Sequence, residues 1–201
     1  MTMRPVIIVL AAGRGRRSRG RGGSAVPSGQ DSEAQLMRAL KAALSSHLRV
    51  LVVVDNPAQQ ALASTQLAAK DIVVLPPRDA ASSAPVPGEG EAIAAGVAAS
   101  GDADGWVLLP ADAPVMQPQT LQAVAQALQL HPVAYGEHRG RRGLPIGFGA
   151  ELYSELMRLQ GEAGVDRLLA RYPAQGVEVD DPAVLGEPPS AAAPARLRAA
   201  L

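Results

Sequence analysis

Short apolar runs along this chain alternate with stretches in which apolar residues recur every three or four positions. Val6-Ile7-Ile8-Val9-Leu10 opens the series. Five β-prone residues bounded by small residues and glycine predict a buried strand. Residues 50–54 (VLVVV), 72–75 (IVVL) and 106–109 (WVLL) repeat the pattern. Between them Leu36, Leu40 and Leu44 stand at i, i+4 and i+8, which predicts a helix over 30–46 with Asp31 or Ser32 as its cap. Further helices are predicted over 57–69, 91–99 and 118–130, the last opened by Pro118, since proline is favoured in a first helical turn. Residues 133–135 and 144–148 read as a later pair of strands around a basic, glycine-containing turn at 136–143. Helices follow over 150–159 and 165–171, then a short strand over 177–179 and a short helix over 195–201. Strands alternating with amphipathic helices predict an α/β fold. The expected architecture is one domain over 1–201 with a mostly parallel twisted sheet, right-handed crossovers and helices on both faces. Residues 18–30 are rich in breakers and expected to be a mobile loop, 76–90 form a long loop, and 187–201 read as a Pro/Ala/Ser-rich tail.

Composition narrows the class. Of 201 residues, 47% are hydrophobic but only 2% aromatic, so the core must be built from Val, Leu, Ile and many alanines. Nineteen basic residues balance nineteen acidic ones. A general nucleic-acid binder would carry a basic excess, so no nucleic-acid partner is expected. There are no cysteines, which excludes disulfides and any thiolate ligand or nucleophile. No apolar run approaches the length of a membrane span, and charged residues follow the first strand directly, unlike a signal peptide. A cytoplasmic protein without a membrane partner is expected.

Two loops carry candidate chemistry. The first strand breaks into Ala11-Ala12-Gly13-Arg14-Gly15-Arg16-Arg17, and five arginines lie between Arg14 and Arg21. Glycine lets the backbone come close to a ligand, and arginine supplies planar forks that match phosphate geometry. The P-loop signature fails because the only lysines are Lys41 and Lys70. A dinucleotide fingerprint fails because Ser18 stands at its third glycine and no ribose-binding acid follows on a second strand. That disfavours a dinucleotide-dependent oxidoreductase. A solvated basic loop accounts equally well for an isolated cluster. Asp112 follows the strand at 106–109, so it should share the carboxyl edge of the sheet with the first loop. A carboxylate facing bound phosphate calls for a cation between them, and Mg²⁺ binds in this way. Taken alone, Asp112 is better explained as closing an Asx-type turn before Pro114. His47, His131 and His138 are best read as structural, and Trp106 as core. Arg139, Arg141 and Arg142 form either a solvated hairpin tip or part of an acceptor-phosphate site.

The order of motifs adds to this reading. Leu10 to Arg17 (Leu-Ala-Ala-Gly-x-Gly-x-Arg) resembles the opening of nucleotidyltransferases of the molybdenum-cofactor type. Gly88-Glu89-Gly90-Glu91-Ala92-Ile93 with Gly96, Leu108-Leu109-Pro110-Ala111-Asp112-Ala113-Pro114, Arg142-Gly143-Leu144-Pro145-Ile146-Gly147-Phe148 and Gly161-Glu162-Ala163-Gly164-Val165-Asp166-Arg167-Leu168-Leu169 follow in that family's order. The resemblance covers roughly residues 5 to 186. Ala12 and the 142–148 segment are more similar to its cytidylyltransferase branch than to its guanylyl one.

The resemblance implies that Leu10, Ala11, Ala12, Gly13, Arg14, Gly15 and Gly90 bind nucleotide. It further implies that Arg17 and Asp112 are catalytic, with Asp112 holding Mg²⁺, and that Arg142, Gly143 and Pro145 bind the acceptor. The substrates would be CTP, favoured over GTP, and a phosphorylated pterin such as molybdopterin cofactor; the products would be a cytidine dinucleotide and pyrophosphate.

Several functional positions depart from the family. No lysine follows the first loop before Lys41, Ala92 stands for a serine, Leu144 for a histidine and Glu162 for an aspartate. The late Asp-x-Asp-Thr-Pro is replaced by Glu187-Pro188-Pro189-Ser190, with Asp180 and Asp181 just ahead of it. Losing one charge-stabilising donor commonly costs about 10²–10³ in rate. Two readings follow: a Mg²⁺-dependent nucleotidyltransferase, or a catalytically impaired relative acting as a nucleotide-binding or protein-interaction module.

Overall fold

An unbroken apolar run can form a strand only if both of its faces are covered, and the first strand meets that condition. The structure, a computed structural model, describes residues 4–12, 29–76, 88–161 and 164–186. Strand β1 (Val6–Leu10) is buried along its whole length. Ile7 and Val9 point to a layer containing Leu36 and Leu40 of α1 (Gly29–Ser45) and Leu121 and Val124 of α4 (Pro118–Ala127). Val6, Ile8 and Leu10 point to the opposite layer, with Ile93 and Val97 of α3 (Glu89–Ala98), Leu156 of α5 (Tyr153–Leu156) and Leu168 of α6 (Gly164–Arg171). Period-two alternation of side chains supplies both cores from one strand.

The described residues form a seven-stranded sheet ordered β3-β2-β1-β4-β6-β5-β7. Strands β2 (Arg49–Val54), β3 (Ile72–Val74) and β4 (Gly105–Pro110) run parallel with β1. Strand β6 (Arg141–Gly149) is antiparallel to both β4 and β5 (Val133–His138), and β7 (Ala174–Glu178) is parallel to β5. The expected mostly parallel α/β sheet with helices on both faces is therefore present, with one reversed strand. Trp106 is core as expected: its indole N–H donates to Ser100 Oγ at 3.1 Å, and Phe148 faces it across the β4–β6 ladder.

Several boundaries differ from the sequence reading, for identifiable reasons. Helix α2 (Pro57–Ala63) begins with Asn56 Oδ1 accepting from the Gln59 N–H at 2.9 Å. It stops well short of residue 69, because Ser64 and Thr65 hydroxyls donate to the carbonyls of Gln60 and Leu62 and turn the chain. Helix α3 starts two residues earlier than expected, and α1 begins inside the stretch read as a loop over 18–30. The rest of that stretch and the tail 187–201 lie outside the described residues, as do the first loop from Gly13 onward and the short helix read over 195–201.

The largest difference concerns 136–143. Instead of a long turn, β5 and β6 pair up to His138 opposite Arg141, leaving Arg139 and Gly140 as the turn. Both have positive φ, 52° and 69°, the conformation that two-residue hairpins require. Gly136 and Gly143 serve close approach rather than turning. A Cβ at Gly143 would overlap the Val184 carbonyl oxygen, and one at Gly136 would overlap that of Leu144. Without side chains there, the short 3₁₀ segment Pro182–Leu185 lies directly on the hairpin.

Polar contacts fix this corner. His138 is buried, and its Nδ1–H donates to the Val179 carbonyl at 2.8 Å. Glu178 accepts from the Arg139 N–H at 2.7 Å and the Gly140 N–H at 3.3 Å, which holds its carboxyl below the usual range, the Arg139 bond being the larger cause. Asp181, 3% exposed, accepts from the Gln117 N–H at 2.8 Å, from Thr120 Oγ at 2.7 Å and from the Ala183 N–H at 3.2 Å. It caps α4 from sixty residues away in sequence.

Two expectations follow. Asp181→Ala leaves a buried hydroxyl and a helix end unsatisfied, so urea unfolding should show a loss of about 2–4 kcal/mol; an unchanged midpoint would refute the capping role. Because the folded carboxyl of Glu178 titrates lower than the unfolded one, its turn contacts are complete above the ordinary glutamate range and are lost as pH falls through the lowered value. Carbon-detected NMR titration should place Glu178 below the ordinary glutamate value, and a titration at or above that value would refute the turn contacts.

Candidate functional site

The register of the parallel strands decides what meets at their carboxyl ends. Leu10 lies opposite Val53 on one side and Pro110 on the other. Ala11 and Ala12 both donate their N–H groups to the Val53 carbonyl, at 2.9 and 3.0 Å, and the Ala111 N–H donates to the Leu10 carbonyl at 2.9 Å. These bonds clamp the exit of β1 between β2 and β4. The chain thus enters its Gly/Arg segment directly beside Ala111 and Asp112, a hundred residues later in sequence. Asp112 is exposed on that edge. Leu10, Ala11 and Ala12 are all buried; with their N–H groups engaged in the sheet, the two alanines act here by fixing the direction in which the chain leaves it. Gly13, Arg14, Gly15 and Arg17 lie outside the described residues.

The second element of the edge is the start of α3. Glu91 accepts from the Gly88 N–H at 2.8 Å and from the Gly161 N–H at 3.0 Å through the same oxygen. Gly90 donates its N–H to the Gly161 carbonyl at 2.9 Å, and a Cβ there would come within 2.7–2.8 Å of the Gln160 backbone. Glycine at 90 is thus explained by close packing of two backbones, with its N–H already used. Ala92, at the family's serine position, is fully buried in the apolar cluster that also holds Leu10 and Ile93.

A small cavity of ≈ 60 Å³ opens along this edge. Its apolar lining comes from Leu10, Leu108, Pro110, Leu144, Ile146 and Val165, and two carboxylates, Glu89 and Asp166, join it. Small-molecule pockets usually measure about 300–1,000 Å³, so this is one wall of a binding region. Leu144 supplies apolar surface where the resemblance calls for a histidine. Glu89 and Asp166 lie within segments that resemble the family, but the sequence reading gives neither of them a role. The available signal was an acid in the first turn of a helix that follows glycine, but for Glu89 that helix had been started two residues late.

The hairpin brings its basic residues to the same side, because β6 runs antiparallel to β4 and its first residues lie beyond Pro110. Arg142 is exposed, with its guanidinium 5.1 Å from the centre of the Tyr135 ring. Pro145 is buried, and the Leu144–Pro145 peptide is cis. The structure therefore gathers Leu10, Ala11, Ala12, Asp112, Arg142, Gly143 and Pro145 on one edge, while His138 and Asp181 are committed to the fold. Among the described residues, no group of three or more His, Asp or Glu side chains is close enough to hold a metal. A hard divalent ion held by one or two carboxylates together with substrate phosphates does not need such a group, so a single exposed carboxylate at this edge, Asp112, is compatible with a divalent ion.

Relatives with solved structures share the whole architecture. The Rv0371c protein of Mycobacterium tuberculosis, solved in complex with manganese, superposes with a TM-score of 0.63 at 21% identity over 89% of each chain. A nucleotidyl transferase from Methanothermobacter thermautotroptrophicus gives 0.61 at 24% identity, over 89% of this chain and 88% of that one. Molybdopterin-guanine dinucleotide biosynthesis protein A from Archaeoglobus fulgidus gives 0.53 at 17% identity, over 87% and 83%. At these identities the likeness concerns the fold. No curated protein matches the chain in sequence. The family model of the MobA-like NTP transferase domain, however, matches residues 7–177. From the β1 exit through the Asp112 edge to β7, the chain belongs to the MobA-like NTP transferase family.

Proposed function

We propose that the protein transfers a nucleotidyl group, CMP from CTP, to a phosphorylated acceptor such as molybdopterin cofactor, with release of pyrophosphate. The observation that carries this reading is the clamp that brings the exit of β1 beside Asp112, together with membership of an NTP transferase family. An acceptor phosphate oxygen attacks the α-phosphorus in line, the bond from that phosphorus to the bridging oxygen breaks, and pyrophosphate leaves with the electron pair. Such transfers need positioning and charge stabilisation more than covalent help. Gly13, Arg14, Gly15 and Arg17 hold the triphosphate, and Arg142 with the Gly143–Pro145 backbone receives the acceptor.

Asp112 would hold the divalent ion, as Mg²⁺. When bound, that ion supplies charge neutralisation for the triphosphate and the departing pyrophosphate. Preference for CTP over GTP rests on Ala12 and the 142–148 segment. On this reading the protein works in the cytoplasm.

A second reading is favoured by one observation. Leu144 presents apolar surface to the edge cavity, where it can neither donate nor accept a hydrogen bond. On that reading the protein binds nucleotide without turning it over.

Calorimetric titration with CTP and GTP, with and without Mg²⁺, tests both readings beside a pyrophosphate-release assay. The expected result is CTP binding strengthened by Mg²⁺, with Asp112→Ala abolishing that gain and lowering pyrophosphate release by about 10²–10³. Magnesium-dependent binding with no pyrophosphate from any nucleotide and acceptor would select the second reading. No magnesium-dependent binding at all would overturn both.

A further inference from the structure

A basic groove lies apart from the Asp112 edge, between α5 with its following turn and the body of α6. It encloses ≈ 300 Å³. Arg158, Arg167 and Arg171 converge on it over a floor formed by Leu159 and Leu168, which are 8% and 5% exposed. Among the described residues Glu155 is the one carboxylate in its lining, and it is already engaged: its Oε1 lies 3.5 Å from Arg171 Nη1 and accepts from the Tyr172 hydroxyl at 3.4 Å. The side chains of Arg158 and Arg167 are exposed and have no partner among the described residues. Arg167 and Arg171 stand at i and i+4 on one helix, where like charges oppose helix formation. Among the described residues the groove thus concentrates two positive charges beyond what its carboxylate neutralises. A solvated helix face would spread such charges around the cylinder, whereas here three of them face one concave, apolar-floored space.

We infer that this groove is a second anion site, which binds a phosphate-bearing small molecule through Arg158, Arg167 and Arg171. Planar guanidinium forks match tetrahedral oxyanions two oxygens at a time, and two excess charges match a phosphate monoester or a diphosphate. The space exceeds a bare phosphate and reaches the lower end of small-molecule pockets. Leu159 and Leu168 then cover the organic part of a phosphate ester, so an organic phosphate is favoured over inorganic phosphate. The site goes beyond the nucleotidyl-transfer reading and does not depend on it. The two regions meet at α6, whose first turn lines the edge cavity through Val165 and Asp166 while its later turns carry Arg167 and Arg171, and at Gln160, which lines the groove and whose backbone packs against Gly90.

The test is NMR titration of the full chain, without divalent cations, using inorganic phosphate, inorganic pyrophosphate and ribose 5-phosphate as probes. Saturable shifts are expected at the amides of Leu159, Gly164 and Leu168, with ribose 5-phosphate binding more tightly than inorganic phosphate. Arg158→Gln combined with Arg167→Gln should weaken that binding about tenfold or more, and Arg167→Gln alone should give a smaller loss. Arg17→Ala should leave it unchanged, and the double variant should keep its magnesium-dependent CTP binding. The inference is overturned if these amides do not shift, if the double variant binds like the parent, or if Arg17→Ala abolishes the shifts. Tighter binding of inorganic phosphate than of the ester would overturn the assignment to an organic ligand.

Discussion

Burial of β1 on both faces is the constraint on which the rest of this molecule depends. A strand with no solvent-facing side must have hydrogen-bonding neighbours along both edges and helices above and below, since unpaired backbone groups in such a position are costly. Strands β2 and β4 fill the edges, and the α1/α4 and α3/α5/α6 layers fill the faces. Because the parallel ladders end in register, the chain segments that leave β1 and β4 are forced to emerge side by side. The candidate site is a consequence of that packing. Its defining pair, the exit at Ala12 and the carboxylate of Asp112, is held by three backbone hydrogen bonds rather than by any contact between functional side chains.

Polar residues around the edge fall into two groups with different work. Glu91, His138, Glu178 and Asp181 satisfy backbone and hydroxyl groups at places where elements of the fold meet. Each joins segments far apart in sequence, and Asp181 does so from a nearly solvent-free position, where an unmatched donor or acceptor would be most costly. Asp112, Glu89 and Asp166 stand instead at the chain exit and along the small cavity. Residue type alone does not separate the groups, because Asp181 and Asp112 both follow strands at the same edge. What separates them is the backbone each one faces.

The departures from the family pattern take on different weights once they are placed. Leu144 does line the edge cavity, so replacing a histidine by leucine there changes the chemistry of the region. Ala92 is enclosed in the apolar core, where an alanine fits without any polar partner. Asp181, which in sequence stands just ahead of the replaced acidic motif, is the cap of α4.

Much of the architecture was legible in the chain itself. The apolar runs marked β1, β2 and β4, the leucines at four-residue spacing marked α1, and the order of motifs marked the family. The first two signals are local, each depending on spacing within a dozen residues, while the motif order spans most of the chain. Tertiary structure alone decided the reversal of β6, the two-residue turn at Arg139 and Gly140, and the roles of Gly90, Gly136 and Gly143. A glycine that permits another backbone to approach has the same letter as one that turns the chain, and the approaching segment may lie a few residues away or seventy. The same holds for Arg158 after α5 and Arg167 and Arg171 of α6, which are three unremarkable surface letters until packing of these segments aims them at one groove. Sequence determined which segments would be strands and helices, because periodic burial is written residue by residue. The fold decided which charged and polar groups face each other, because that depends on partners the local pattern does not contain.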